Sequence, residues 1–331
     1  MTTDTDHRAR HLDPQILDFL KALEAQGGPS LSMLEAASTR DVLLSLQRSV
    51  AVATLPADSM GRTLRCGPTG EITLRIVRPR GASGVLPAVM YFHGGGWMRG
   101  DSETHDRLVR EIAIGAQATV VFVEYARSPQ AKYPIAIEQA YAATRWVAEH
   151  GASIGADPSH LVVAGDDVGG TLATVTTLLA KERAAPRIDF QVLLYPVTDA
   201  DLETQSYRAF GAGGYWLTRE TMRWFWDSYV PAPERQEFTV SPLQASLEQL
   251  RGLPAALIVT CENDVVRDEG EAYAHKLMAA GVPVRATRYL AAIHDFVLLN
   301  PIALTPPARA ALAQVIDILR MVFAHNVEKE G

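Results

Sequence analysis

The sequence predicts an α/β protein with a mainly parallel central sheet, helices on both faces and a helical cap. Three observations carry that reading. Short apolar runs alternate with helical patterns from residue 72 onward. The run at 161–164 passes through Gly165-Asp166-Asp167-Val168-Gly169-Gly170 into a helix-forming stretch, which is strand, tight turn, helix. A segment at 199–242 breaks the alternation with a cluster of aromatics that includes Tyr215, Trp216, Trp224, Phe225 and Trp226.

Taken in order, residues 1–55 read as helical. Ile16, Phe19, Leu20 and Leu23 share one face, Gly27, Gly28 and Pro29 break it, and 31–50 resumes a helix. These pieces precede the first strand, so they are expected to lie over the sheet. Ile72, Leu74 and Ile76 alternate with polar residues, as in a half-exposed antiparallel strand. The continuous apolar runs at 87–92, 120–125 and 161–164 suit buried parallel strands, and further strands follow at 192–195, 256–260 and 284–289. Between them Ala136, Ala140, Ala143 and Val147 share a helical face, as do Leu312, Val315, Ile316, Leu319, Val322 and Phe323 near the end. The expected division is an N-terminal cap segment at 1–55 and a catalytic domain at 56–331. The insertion at 199–242 covers the site, as long insertions between core strands usually do.

The 331 residues, 47% of them apolar, suffice for one large α/β domain with a cap or for two domains. A net charge of -7 argues against nucleic acid and against an anionic membrane surface as partners. Cys66 and Cys261 form neither a disulfide framework nor a zinc spacing, and nothing suggests a metal or a cofactor. The polar N-terminus has no apolar signal region, and no run reaches membrane-spanning length. The expectation is a cytoplasmic protein acting on a small-molecule substrate, with homo-oligomerisation left open.

The chemistry gathers at four places. In Gly165-Asp166-Asp167-Val168-Gly169 the glycines permit the sharp turn that lifts the central side chain, Asp167, above the sheet. After the strand ending at Phe92, His93-Gly94-Gly95-Gly96-Trp97 exposes backbone N–H groups. Gly94, Gly95 and Gly96, with Val168 after the elbow, are the candidate donors to a developing oxyanion. Asp264 follows a buried strand, where the crevice of a parallel sheet lies, and could also cap the helix near Arg267. His294 follows the last strand, which completes the order nucleophile, acid, base. His7, His11, His105, His150, His160, His275 and His325 have no such context and read as solvated or structural. Trp97, Asp166, Tyr215 and Trp216 are the candidates to line a substrate pocket.

With these motifs in place the chain resembles the hormone-sensitive-lipase-like carboxylesterases of the α/β-hydrolase fold. The resemblance rests on His93-Gly94-Gly95-Gly96-Trp97, on the turn from Gly165 to Gly170, on the stretch from Asp264 to Gly270, and on Ile293-His294-Asp295-Phe296. Tyr125, Ser128, Pro129, Tyr133 and Pro134 resemble the segment after the fourth strand of that group. It implies that the N-terminal helices and the 199–242 insertion form a cap.

The departure is Asp167, where the group carries serine. A carboxylate is ionised near neutral pH and needs no base to attack. Against an ester it would have to expel an alkoxide more basic by about 12 pKa units, ~16 kcal/mol at ~1.4 kcal/mol per unit. Against an epoxide or a similar alkyl electrophile it would form an ordinary alkyl ester, which His294 and Asp264 could then hydrolyse with water. Related aspartate-nucleophile enzymes usually carry Trp next, whereas this chain has Val168, which counts against dehalogenation. Three activities therefore stand: covalent hydrolysis through Asp167, an esterase framework weakened or silenced by loss of its serine, and a lyase or cyclase using His294 and Asp167 as proton shuttles.

Overall fold

The structure, a computed structural model, describes residues 10–27 and 36–330. The helix expected at 31–50 therefore falls in part, at 31–35, outside the described residues, and so does His7. Eight strands form one sheet in the order β1-β2-β4-β3-β5-β6-β7-β8. β1 (Ala57–Leu64) and β2 (Ile72–Pro79) run antiparallel to their neighbours. β3 (Leu86–Phe92), β4 (Thr119–Glu124), β5 (Ala156–Asp166), β6 (Phe190–Leu194), β7 (Ala255–Asn263) and β8 (Val284–Ile293) are parallel.

β1 is an element the sequence did not announce. Only its end residues, Ala57 and Leu64, are buried, so this edge strand carries no apolar alternation to read. The central strands are the opposite case. Val120 and Phe122 of β4 face one apolar layer while Val121 and Val123 face the other, which is why the run is apolar throughout.

The helices fill both layers. α1 (Pro14–Gln26), α2 (Ala36–Arg48), α3 (Asp106–Ala116) and α10 (Pro306–Glu330) lie on one side. α4 (Ile135–His150), α5 (Val168–Glu182) and α9 (Arg267–Ala279) lie on the other. The insertion supplies α6 (Gln205–Phe210) and α7 (Arg219–Tyr229), and α8 (Leu247–Leu250) precedes β7. Thr218 caps α7 through its side chain, accepting from Thr221 N–H. No helix among the described residues is long and apolar enough to cross a membrane, and both cysteines are free.

The N-terminal helices are stitched to loops at the C-terminal end of the sheet. Arg40 donates to the Met98 carbonyl, Gln47 donates to the carbonyls of Thr104 and Leu298, and Asn263 reaches the His11 carbonyl. Phe19 of α1 lies 6.2 Å from Trp216 of the insertion, ring to ring. Both segments therefore meet over the end of the sheet where β5, β7 and β8 deliver Asp167, Asp264 and His294.

Candidate active site

The elbow is held by close backbone approach. A Cβ on Gly165 would overlap the Gly169 carbonyl, and one on Gly169 would overlap the Phe92 carbonyl. Asp167 sits at φ 52°, ψ -124°, a strained conformation for a residue with a Cβ. Its N–H donates to the Leu194 carbonyl at 3.0 Å, and its own carbonyl accepts from Gly170 N–H at 3.0 Å. Those bonds from β6 and α5 fix the strained residue and aim its side chain off the sheet edge.

The Asp167 carboxylate lands on the glycine loop. Gly95 and Gly96 N–H groups donate to its Oδ2 at 2.8 and 2.9 Å. Neither Gly94 nor Val168 contributes a bond to it. Gly94 instead offers its carbonyl to His93 Nδ1 at 2.9 Å, and Val168 opens α5. Phe225 of α7, in the 199–242 insertion, presses on the loop so closely that a Cβ on Gly96 would enter its ring.

His294 lies between three carboxylates. Its Nδ1 is 2.8 Å from Asp264 Oδ2, while Asp264 Oδ1 accepts from Val266 N–H at 3.1 Å. Asp264 thus orients the imidazole and holds the turn before α9, although Val266 is the residue at the cap position. On the other side Nε2 is 3.6 Å from Asp167 Oδ1 and 3.6 Å from Asp295 Oδ1. At that separation these are ion pairs rather than formed hydrogen bonds. The edge of the Tyr195 ring covers His294, centroid to centroid 5.0 Å.

The charges follow. Burial works against an imidazolium, but Asp264, Asp295 and Asp167 outweigh it and hold His294 well above the usual histidine range. Burial would raise Asp167, but His294 and the two glycine N–H groups outweigh that and keep its carboxyl below the ordinary range. Asp295 goes the other way. Burial raises it, His294 opposes, and the carboxylates of Asp167 and Asp166 add to the rise. At neutral pH the resting centre is an imidazolium beside an ionised Asp167.

The pocket candidates separate. Trp216 donates from Nε1 to Asp295 Oδ2 at 2.9 Å, which ties the insertion to the centre. Tyr215 packs edge-on against Phe210 within the insertion. Trp97 is fully buried and stacks on Tyr229, centroids 4.1 Å apart. Asp166 points away from the reacting groups, accepting from Tyr91 Oη at 2.8 Å and lying 3.3 Å from His105 Nε2.

Asp295 is the residue that sequence reasoning passed over. An acid directly after a candidate base is the signal the sequence offers for it. Glu269 is a second case. It stands in the first turn of α9, where it is buried and accepts from Thr198 N–H at 2.9 Å. Burial pushes its carboxyl well up.

A strained elbow on β5, an acid after β7 and a histidine after β8, all at the C-terminal edge of a mainly parallel sheet, define the α/β-hydrolase class. A family profile described as alpha/beta hydrolase fold matches residues 89–298, and the chain belongs to that family. Carboxylesterase NlhH of Mycobacterium tuberculosis is 40% identical over 251 residues, which are 75% of this chain and 77% of its own. The ethyl acetate hydrolase of Pseudomonas putida is 34% identical over 325 residues, 93% of this chain and 98% of its own. A crystal structure of a thermostable esterase from Pseudomonas putida ECU1011 superposes with a TM-score of 0.93 at 48% identity, covering 95% of this chain and 98% of its own. The chain is an esterase-like hydrolase of the α/β-hydrolase fold.

Proposed function

We propose that this chain is a carboxylesterase framework for small-molecule esters in which Asp167 stands at the nucleophile position and closes the site to serine-type hydrolysis. The observation that carries the reading is the pair of bonds from Gly95 and Gly96 N–H to Asp167 Oδ2, at 2.8 and 2.9 Å. An ester being hydrolysed must place its developing oxyanion on those donors. Here a carboxylate already fills them. The same carboxylate helps to keep His294 protonated, so the ring cannot take a proton from water or from a nucleophile.

Replacing Asp167 by Ser removes both obstacles. The donors become free, and His294 loses one of the charges that hold its proton. Asp167→Ser is expected to hydrolyse a short-chain p-nitrophenyl ester at least about 10²-fold faster than the parent, the size of an oxyanion-hole contribution. A folded Asp167→Ser protein with no gain would sink the esterase framework.

One further observation supports a second reading, in which Asp167 is itself a nucleophile toward an alkyl electrophile such as an epoxide. Oδ2 rests on the donors while Oδ1 is buried without a hydrogen-bond partner. Attack by Oδ1 would form the new O–C bond as the ring C–O bond breaks, with an acid supplying a proton to the departing oxygen. The resulting ester is neutral, so His294 would lose a holding charge and could act as base. Its water would attack an ester carbonyl whose oxygen already lies on the two N–H groups. In that case His294→Gln, incubated with an epoxide panel, accumulates a stoichiometric adduct on Asp167 by intact mass. A single parent turnover in heavy-oxygen water then labels the Asp167 carboxylate. No adduct, and no label in the Asp167 carboxylate, would remove the covalent reading.

A further inference from the structure

Arg99 is a buried cation that neither reaction scheme uses. Its backbone N–H donates to the Gly95 carbonyl at 2.8 Å, so the loop that aims the Gly95 and Gly96 donors also fixes Arg99. The residue is 3% exposed. Its Nε and Nη1 have no hydrogen-bond partner. The guanidinium lies over the Phe225 ring, 5.0 Å from the centroid, and Phe225 is the cap residue pressed against Gly96. Asp295 and Asp167 act on its charge through space, and neither is paired with it.

Such an arrangement is costly, because a guanidinium stays charged and a buried charge without partners loses its hydration. Arg107 shows how the same chain normally treats a covered arginine. Its guanidinium is used up on Asn300 Oδ1 and on the carbonyls of Val297 and Leu298. Nothing of that kind holds Arg99. Buried unsatisfied donors of this sort commonly mark the place of an absent ion or ligand. The position narrows the choice: Arg99 lies over Phe225, the ring that also packs against the Gly96 donor, and the charges of Asp295 and Asp167 reach its guanidinium.

We infer that Arg99 is an anion subsite of the catalytic pocket and that the preferred substrate is an ester bearing a free carboxylate close to the reacting group. This rests on the esterase-framework reading. A planar guanidinium matches a carboxylate in two parallel hydrogen bonds, and Phe225 holds the plane in place. Asp167 and Asp295 would weaken an anion there, so the subsite is stronger when Asp167 is neutralised.

Two measurements separate this inference from the reading beneath it. The first needs no catalysis. Calorimetric titration with butyrate, butyramide and inorganic phosphate is run on the parent, on Asp167→Ser, and on each with Arg99→Gln. Butyrate is expected to bind Asp167→Ser at least about tenfold more tightly than butyramide, with the preference lost in the Arg99→Gln pair. The second compares p-nitrophenyl hemisuccinate with its methyl ester as substrates of Asp167→Ser. Arg99→Gln should lower kcat/KM for the hemisuccinate by about tenfold or more relative to the methyl ester, with Arg99→Lys losing less. Equal binding of butyrate and butyramide, or an equal fall with both esters, would make Arg99 a packing residue and overturn the subsite. Tighter binding of phosphate than of butyrate would overturn the carboxylate assignment. An inactive Asp167→Ser protein that still prefers butyrate would defeat the esterase framework and leave the anion subsite standing. If Arg99→Gln does not fold, Arg99→Lys and the titration of chains with Arg99 intact decide the matter.

Discussion

The two sides of the His294 ring are built differently. At Nδ1 a single carboxylate stands at 2.8 Å, and its second oxygen is occupied by the Val266 N–H. Everything there comes from the ends of β7 and β8. At Nε2 two carboxylates stand at 3.6 Å, one from the elbow and one tied to the 199–242 insertion through Trp216. Both of the oxygens they turn to the ring, Asp167 Oδ1 and Asp295 Oδ1, lack hydrogen-bond partners. The same residue type thus does two jobs. Asp264 in a satisfied network orients the ring, while Asp167 and Asp295 in an unsatisfied one hold a proton where a reacting atom would have to go.

The sharpest way to break this comparison is to remove the orienting side once the other has been opened. In the Asp167→Ser background, Asp264→Asn leaves His294 in place but denies it the carboxylate at Nδ1. kcat for a short acyl ester should fall by about 10⁴-fold, the scale on which loss of an orienting aspartate acts in serine-histidine chemistry. A fall of only a few-fold would mean that Asp295 can replace Asp264, and the two sides would not be distinct.

The donor side comes next. Gly96 sits at φ 62° against Phe225, so Gly96→Ala adds a Cβ where neither backbone nor ring leaves room. In the same background a drop of about 10²–10³-fold in kcat is expected as the donor shifts. The stability cost is about 1–3 kcal/mol from strain and overpacking. Assaying Phe225→Ala beside it separates the two causes. If the added ring space restores activity, the clash was responsible rather than the dihedral angle.

Much of the Nδ1 side was legible in the sequence, because each part of it is local. A strand followed by an acid and a strand followed by a histidine are each signals confined to a few residues, as are the glycines around the turn that carries Asp167 to the other side of the ring. The rest of the Nε2 side was not, because it is assembled from distant pieces. Asp295 matters through Trp216, 79 positions away in the chain, and Phe225 bears on Gly96 from another element. Arg99 is silent for the same reason: a lone arginine after a glycine loop gives no sign of whether it will be paired. β1 escaped notice on different grounds, since an edge strand exposed along its middle needs no periodic pattern.

A subtler test uses pH. The folded pKa of His294 is raised, so its contribution to stability is complete below the unfolded value of about 6.5 and is lost as pH climbs through the folded value. That of Asp167 is lowered, so its contribution is present above about 3.8 and is lost as pH falls through the folded value. The stability advantage of the parent over Asp167→Asn should therefore be widest between about pH 4 and 6.5 and narrow on either side. Urea unfolding at a series of pH values reads this directly. An advantage that grows steadily toward pH 9 would mean that His294 is neutral in the folded protein.

The smallest effect is expected from Trp216→Phe, which touches the Nε2 side at one remove. The substitution keeps an aromatic ring to pack near Phe19 and deletes the Nε1 donor to Asp295 Oδ2. Loss of one such hydrogen bond should cost about 1 kcal/mol. The consequence for the ring is indirect. Without that donor the ionised form of Asp295 is less favoured, so its raised pKa moves further up. Less negative charge then faces Nε2, and the His294 pKa moves down, though less than in Asp167→Asn, where a whole carboxylate is gone. Imidazole resonances followed by NMR across pH in the parent, Trp216→Phe and Asp167→Asn should fall in that order. If Trp216→Phe shifts His294 as far as Asp167→Asn does, then Asp295, not Asp167, is the group that holds the proton. Asp167 would then be only half of what sets the charge of this site.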